Sequence, residues 1–138
     1  MLNRLSILVL LMLSLPAAAE SLQITEAWIK NLPMAVPVRA GYMHISNNQN
    51  TEITIVSLQS KSFESIEIHQ SMEVNGMMGM RPVDALSIPA GGSLELAPGG
   101  FHLMMMNPQE ELVPGQKVTV TLYYQNQNTQ LIELEVRK

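Results

Sequence analysis

The sequence contains no cysteine. That absence removes thiolate nucleophiles, Cys-ligated metal centres, redox dithiols and disulfide staples, and it leaves no thiol for a lipid to acylate. Aromatic residues are scarce, at one Trp, three Tyr and two Phe, too few to line a haem pocket, and no Cys-x-x-Cys-His attachment exists. Positive charge is short as well. Eight Lys and Arg stand against twelve Asp and Glu, a formal net charge of −4. No basic stripe forms, which excludes nucleic acid as a partner. Apolar runs are confined to one place, Ile7–Leu15, well short of the ~20 residues a membrane-spanning helix needs.

That one run reads as an address. Arg4 supplies a positive n-region, Ser14 alone interrupts the apolar stretch, and Pro16 followed by Ala17-Ala18-Ala19 gives a small-residue cleavage site. Residues 1–19 are therefore expected to be a cleaved signal peptide, and residues 20–138 a single exported domain with no anchor left after cleavage. A domain of that length buries a working core without staples. Without cysteine it must do so by packing and hydrogen bonding alone.

The remaining chain reads as short strands between turn residues, with no helix. Leu22–Lys30 is a first strand with Trp28 as a core anchor. Gly41–Ser46 and Glu52–Leu58 follow. Ser65–His69 alternates, placing Ile66 and Ile68 on one face and Glu67 and His69 on the other. A turn at Val74-Asn75-Gly76 leads into Gly76–Val83, and Gly pairs bracket Ser93–Leu96. Phe101–Met106 is the next strand. Then come Lys117–Tyr124, with Val118, Val120, Leu122 and Tyr124 on one face, and a last strand with Ile132, Leu134 and Val136 inward. Eight or nine short strands at this spacing predict an all-β sandwich or barrel of Greek-key type. Neither an internal repeat nor a linker is present.

Methionine is what the sequence has in excess, with eleven. Six fall in two clusters, Met77/Met78/Met80 and Met104/Met105/Met106. On a strand, His102 and Met104 share a face about 6.8 Å apart, while Phe101, Leu103 and Met105 face the core. The hairpin that follows His69 can bring Met80 alongside. Two segments thus each offer imidazole and thioether donors to one site: His69, Met80, His102 and Met104. A soft, neutral thioether is a poor ligand for calcium or magnesium, and zinc prefers cysteine or carboxylate beside histidine. Cu(I) is the ion that thioethers select and imidazole also suits. Singly, each of these residues would be ordinary; together, in an exported cysteine-free chain, they form a candidate Cu(I) site. Met77, Met78, Met105 and Met106 read instead as gap-filling core, and His44 as a surface or hydrogen-bonded histidine.

The spacing His69, ten residues, Met80, twenty-one residues, His102, one residue, Met104 resembles the signature of the periplasmic copper chaperones called PCuAC. The words Met78-Gly79-Met80-Arg81-Pro82, Ile88-Pro89-Ala90-Gly91-Gly92 and Pro98-Gly99-Gly100-Phe101-His102-Leu103-Met104 agree with it. The resemblance implies a cupredoxin-like fold and a periplasmic protein. It implies one Cu(I), delivered towards the copper centre of cytochrome c oxidase subunit II, often beside a Sco-type protein. Some relatives carry a His- and Met-rich tail with a second copper site. The sequence stops at Arg137-Lys138, so one site is expected. Met72 and Met78 lie near the motif, and either could stand in for Met80.

Competing classes fare worse. A blue-copper electron carrier requires a Cys thiolate, and a hydrolase would need a nucleophile motif that none of the three histidines accompanies. The expected protein is not an enzyme. A copper storage or resistance protein is the alternative, because it could use the same four ligands.

Overall fold

The computed structural model describes residues 21–138; the expected signal peptide lies outside them. Ten strands run in chain order: β1 (Gln23–Lys30), β2 (Val38–Ser46), β3 (Ile53–Gln59), β4 (Phe63–Val74), β5 (Met77–Pro82), β6 (Leu86–Ile88), β7 (Ser93–Leu96), β8 (Phe101–Pro108), β9 (Lys117–Tyr124) and β10 (Thr129–Arg137). They join in the order β5-β4-β8-β7-β2-β1-β10-β9-β3-β6. A further β3–β4 pairing at Leu58 and Ile66 closes β4, β8, β7, β2, β1, β10, β9 and β3 into a barrel. β5 and β6 hang on its flanks. Closure removes most exposed strand edges, which explains how the fold holds without a disulfide.

Alternation produces the core. Met43 and Ile45 on β2, Val118, Val120, Leu122 and Tyr124 on β9, and Ile132, Leu134 and Val136 on β10 are all buried, while their neighbours face outward. The two C-terminal strands carry the inward residues expected of them. Gly41 belongs to the same inward row. A Cβ there would meet Met105 Sδ at 3.1 Å and Leu103 Cβ at 3.2 Å, so only glycine lets β2 lie this close over β8.

Arg39 is the exception in that row: a fully buried cation. Its Nη1 donates to the carbonyls of Val36 (2.7 Å) and Val38 (2.9 Å), and its Nη2 to those of Leu32 (2.6 Å) and Pro33 (3.2 Å). The side chain thereby pins the segment between β1 and β2, and its desolvation lowers the guanidinium pKa from its ordinary value.

Four expectations need correction. The strand holding His69 does not end there; β4 continues through Val74, because pairing with β5 supplies hydrogen-bond partners that its polar sequence does not advertise. The three-residue β6 was not foreseen. Trp28 is half-buried rather than a core anchor. Its ring meets Tyr42 at 4.9 Å and lies under Arg137 at 5.7 Å, while Ile29 takes the core position. A bulge between Thr25 and Trp28, with Glu26 at a φ of 51°, shifts the parity by a residue. Finally, Met77 and Met78 do not fill the core; they stand exposed on β5, which is an edge strand.

Candidate metal centre

The candidate ligands lie on one outward face of β4, β5 and β8, and strand register assembles them. β4 and β8 run antiparallel with His69 directly opposite His102 and Glu67 opposite Met104. β4 and β5 pair with Ser71 opposite Met80 and Glu73 opposite Met78. Directly opposed residues point to the same side. The row His102, His69, Ser71 and Met80 therefore belongs to one surface, and Met104 and Glu67 stand one pleat away. Leu103, Met105 and Ile68, the residues between, are buried on the reverse side.

This face is not open to water everywhere. The Arg39-pinned segment contributes Leu32 and Val36, and the turn before β8 contributes Pro98. Together with Tyr42, Met80, His102 and Met104 they enclose a cleft of about 250 Å³. Its walls are largely apolar, with imidazole and thioether groups as the polarisable ones. His102 is consequently 4% exposed despite its outward parity, and the His69 side chain is 12% exposed. Met80 is 60% exposed and forms the cleft's open side. Burial pushes the Tyr42 phenol above its ordinary value, so that wall stays neutral.

The two imidazoles are held by complementary hydrogen bonds. His69 Nε2 lies 2.7 Å from Glu67 Oε2; a carboxylate only accepts, so Nε2 carries the proton. His102 Nδ1 lies 3.2 Å from the Gly100 carbonyl, which also only accepts, so Nδ1 carries the proton there. The opposite nitrogens, His69 Nδ1 and His102 Nε2, are buried and have no hydrogen-bond partner among the described residues. A neutral imidazole with one nitrogen donating leaves a lone pair on the other. Two such lone pairs without a partner, on rings whose centroids are 5.9 Å apart, are unusual in a folded protein. Donating one ring nitrogen to a carboxylate or a carbonyl is how proteins orient a metal-ligating histidine.

Among the described residues no group of three or more His, Cys, Asp and Glu side chains converges as a metal site. The remaining sulfur-bearing side chains that line the cleft beside His102 are Met80 and Met104. All four residues singled out in the sequence lie on this face, and three of them line the cleft. Met72 pairs with Gly79 on the opposite face of the hairpin, whereas Met78 shares the face of Met80. His44 is half-buried on β2, opposite Glu95 of β7, and contributes nothing to the cleft. Sequence reasoning missed Glu67 and Arg39. The signal for Glu67 was present, since it shares the face of His69 two residues away. The signal for Arg39 was its place in an otherwise apolar inward row.

Comparison with known proteins gives a consistent picture. The family model described as LpqE-like matches residues 22–136. A protein of Leifsonia xyli subsp. xyli named as a lipoprotein is 30% identical over 120 residues, covering 86% of this chain and 71% of that one. An uncharacterized protein of Rickettsia prowazekii is 25% identical over 126 residues, covering 88% and 69%. Among solved structures, Cu(I)-bound DR1885 of Deinococcus radiodurans aligns with a TM-score of 0.67 at 28% identity, covering 92% of this chain and 82% of that one. The copper-bound PCuAC domain of PmoF2 aligns with a TM-score of 0.70 at 18% identity, covering 86% and 95%. The expected all-β, cupredoxin-like Greek-key fold is thus the fold observed, as a closed barrel with extra strands.

Proposed function

The chain belongs to the LpqE-like family, and from that premise we propose that it is a copper chaperone whose cargo is one Cu(I) ion. His69 Nδ1, His102 Nε2 and the thioethers of Met80 and Met104 are the proposed donors. The observation that carries the reading is the pair of buried, unpartnered imidazole nitrogens on directly opposed residues beside a thioether-lined cleft. Copper binding by proteins of the same fold, DR1885 and the PmoF2 domain, supports the choice of metal. So does the donor set, since neutral soft ligands favour Cu(I) over the harder divalent ions.

What the residues do follows from their environment. Glu67 and the Gly100 carbonyl hold the two rings in complementary orientations, so that His69 Nδ1 and His102 Nε2 are the nitrogens left to meet the ion. The Arg39-pinned segment excludes water on one side. On the other side Met80 is exposed, and an incoming ligand can attack before the last donor leaves. A chaperone needs such an exchangeable edge. The protein holds and hands over an ion and turns over no substrate.

The proposed setting is the periplasm, reached through the cleaved signal peptide of residues 1–19. The lipoprotein name of the Leifsonia relative supports export. The proposed recipient is a copper-accepting periplasmic domain, cytochrome c oxidase subunit II or a Sco-type protein. One observation favours a second reading, copper storage or resistance: Met77 and Met78 are exposed and offer further thioethers. Titration of the mature chain with Cu(I) against a competing chelator separates the two. A chaperone saturates at one tight ion per chain, and His69→Ala and His102→Ala each abolish that binding. Storage would load several ions, and full binding by both His variants would remove the site.

A further inference from the structure

Four thioethers crowd the β4–β5 hairpin, Met72, Met77, Met78 and Met80, and the resident site uses only one. The hairpin register decides what the others face. Val74 pairs with Met77 across a two-residue turn, Asn75-Gly76, in which both residues have positive φ, 52° and 78°. The pairing then continues without a shift through Glu73–Met78, Met72–Gly79, Ser71–Met80, Gln70–Arg81 and His69–Pro82. Met78 and Met80 therefore lie on the face that carries His69, about 6.8 Å apart along the strand. Met77 and Met72 lie on the other.

Exposure grades along the same line. His102 is 4% exposed, Met80 60%, and Met78 68% beside the hairpin tip. Exposed carboxylates flank the row, Glu67 next to His69 and Glu73 opposite Met78. A monovalent cation moving outward along this face thus meets soft donors in order and carboxylates of opposite charge beside them. Among the described residues no strand pairs with the outer side of β5, and none of them covers the route there.

We propose that Met78 is a transfer ligand: the thioether through which Cu(I) enters and leaves the His69, Met80, His102 and Met104 site, without being a resident donor. The inference rests on the copper reading of that site. In each transfer a Met78 Sδ lone pair forms a new bond to the ion as the Met80 bond breaks, or the reverse. The ion stays Cu(I), and no proton moves because thioethers carry none. Side chains as long as methionine bridge the separation between the two positions, so the ion is never left without a donor during exchange.

The test compares Met78→Leu with Met77→Leu, the latter more exposed at 74% and on the opposite face of the same hairpin. Leucine keeps the apolar bulk and removes the sulfur. The Cu(I)-loaded mature chain is mixed in stopped flow with a chromophoric Cu(I) chelator, and equilibrium affinity is measured separately by competition. Expected is a several-fold slower transfer from Met78→Leu with affinity and one-ion stoichiometry retained, and a wild-type rate from Met77→Leu. Equal rates in wild type and Met78→Leu, or equal slowing by both variants, would overturn the relay while leaving the resident site intact. Loss of equilibrium binding in Met78→Leu would also overturn it, by making Met78 a resident donor. A wild-type chain that binds no Cu(I) removes the site and the relay together.

Discussion

Replacing Met105 by alanine empties a fully buried position on β8, directly behind the face that carries His102 and Met104. Met105 sits between Arg39 on β2 and Ile66 on β4, and its sulfur approaches Gly41 closely enough that even a methyl there would crowd it. Neighbouring backbones are fixed by strand pairing on both sides, so the cavity left by alanine collapses little. Buried Met→Ala changes cost about 2–5 kcal/mol, and limited collapse puts this one near ~4. For a domain of this size that is a fall in Tm of about 10–20 °C. Met80→Ala is the counterpart: the side chain is largely exposed, and its loss shifts stability by less than about 0.5 kcal/mol. Thermal unfolding of the apo proteins by circular dichroism, followed by Cu(I) competition below the transition, reads both quantities. Met105→Ala should be much less stable yet bind Cu(I) while folded, and Met80→Ala should be stable yet bind weakly. A thermally silent Met105→Ala that loses copper would refute the parity assignment of β8.

Other expectations follow from single contacts. Glu67→Ala removes the acceptor on His69 Nε2 and frees the ring to rotate; Cu(I) affinity should fall about tenfold or more with stability nearly unchanged, as a competition titration would read. Gly41→Ala forces a Cβ against Met105 and Leu103 and should cost about 1–3 kcal/mol in urea unfolding. Arg39→Met leaves four carbonyls of the 32–38 segment without their donor, and hydrogen exchange should show that segment opening first. Copper affinity should decline in acid, as protons compete for each ligating imidazole, and level off towards alkaline pH because thioethers do not titrate. An affinity that keeps rising through the alkaline range would contradict a site without thiolates.

Strand identity was legible where alternation was strong. Val118 to Tyr124 and Ile132 to Val136 carry their inward residues as the period of two requires. Parity also separated His102 and Met104 from Leu103 and Met105. The signal failed where hydrophobicity was weak or the segment short. Gln70 to Val74 has no strongly alternating apolar face, yet pairs along its whole length with β5, and Leu86–Ile88 is too brief to show any period. Trp28 was misread because a bulge two residues earlier resets the face, and bulges leave little trace in a single sequence. The four candidate ligands could be chosen by chemistry, but the direct opposition of His69 and His102 could not be. That pairing joins strands 33 residues apart, a long-range register that only the folded barrel expresses. The exposure of Met77 and Met78 escaped for a related reason, since nothing local marks β5 as an edge.

X-ray absorption at the copper edge of the Cu(I)-loaded mature chain reads the donor set itself. A single ion per chain is expected, with an inner shell of imidazole nitrogen and thioether sulfur. Met80→Ala and Met104→Ala should each lower the sulfur count, and His69→Ala and His102→Ala the nitrogen count. A shell without sulfur, or one unchanged by all four substitutions, would contradict that donor set.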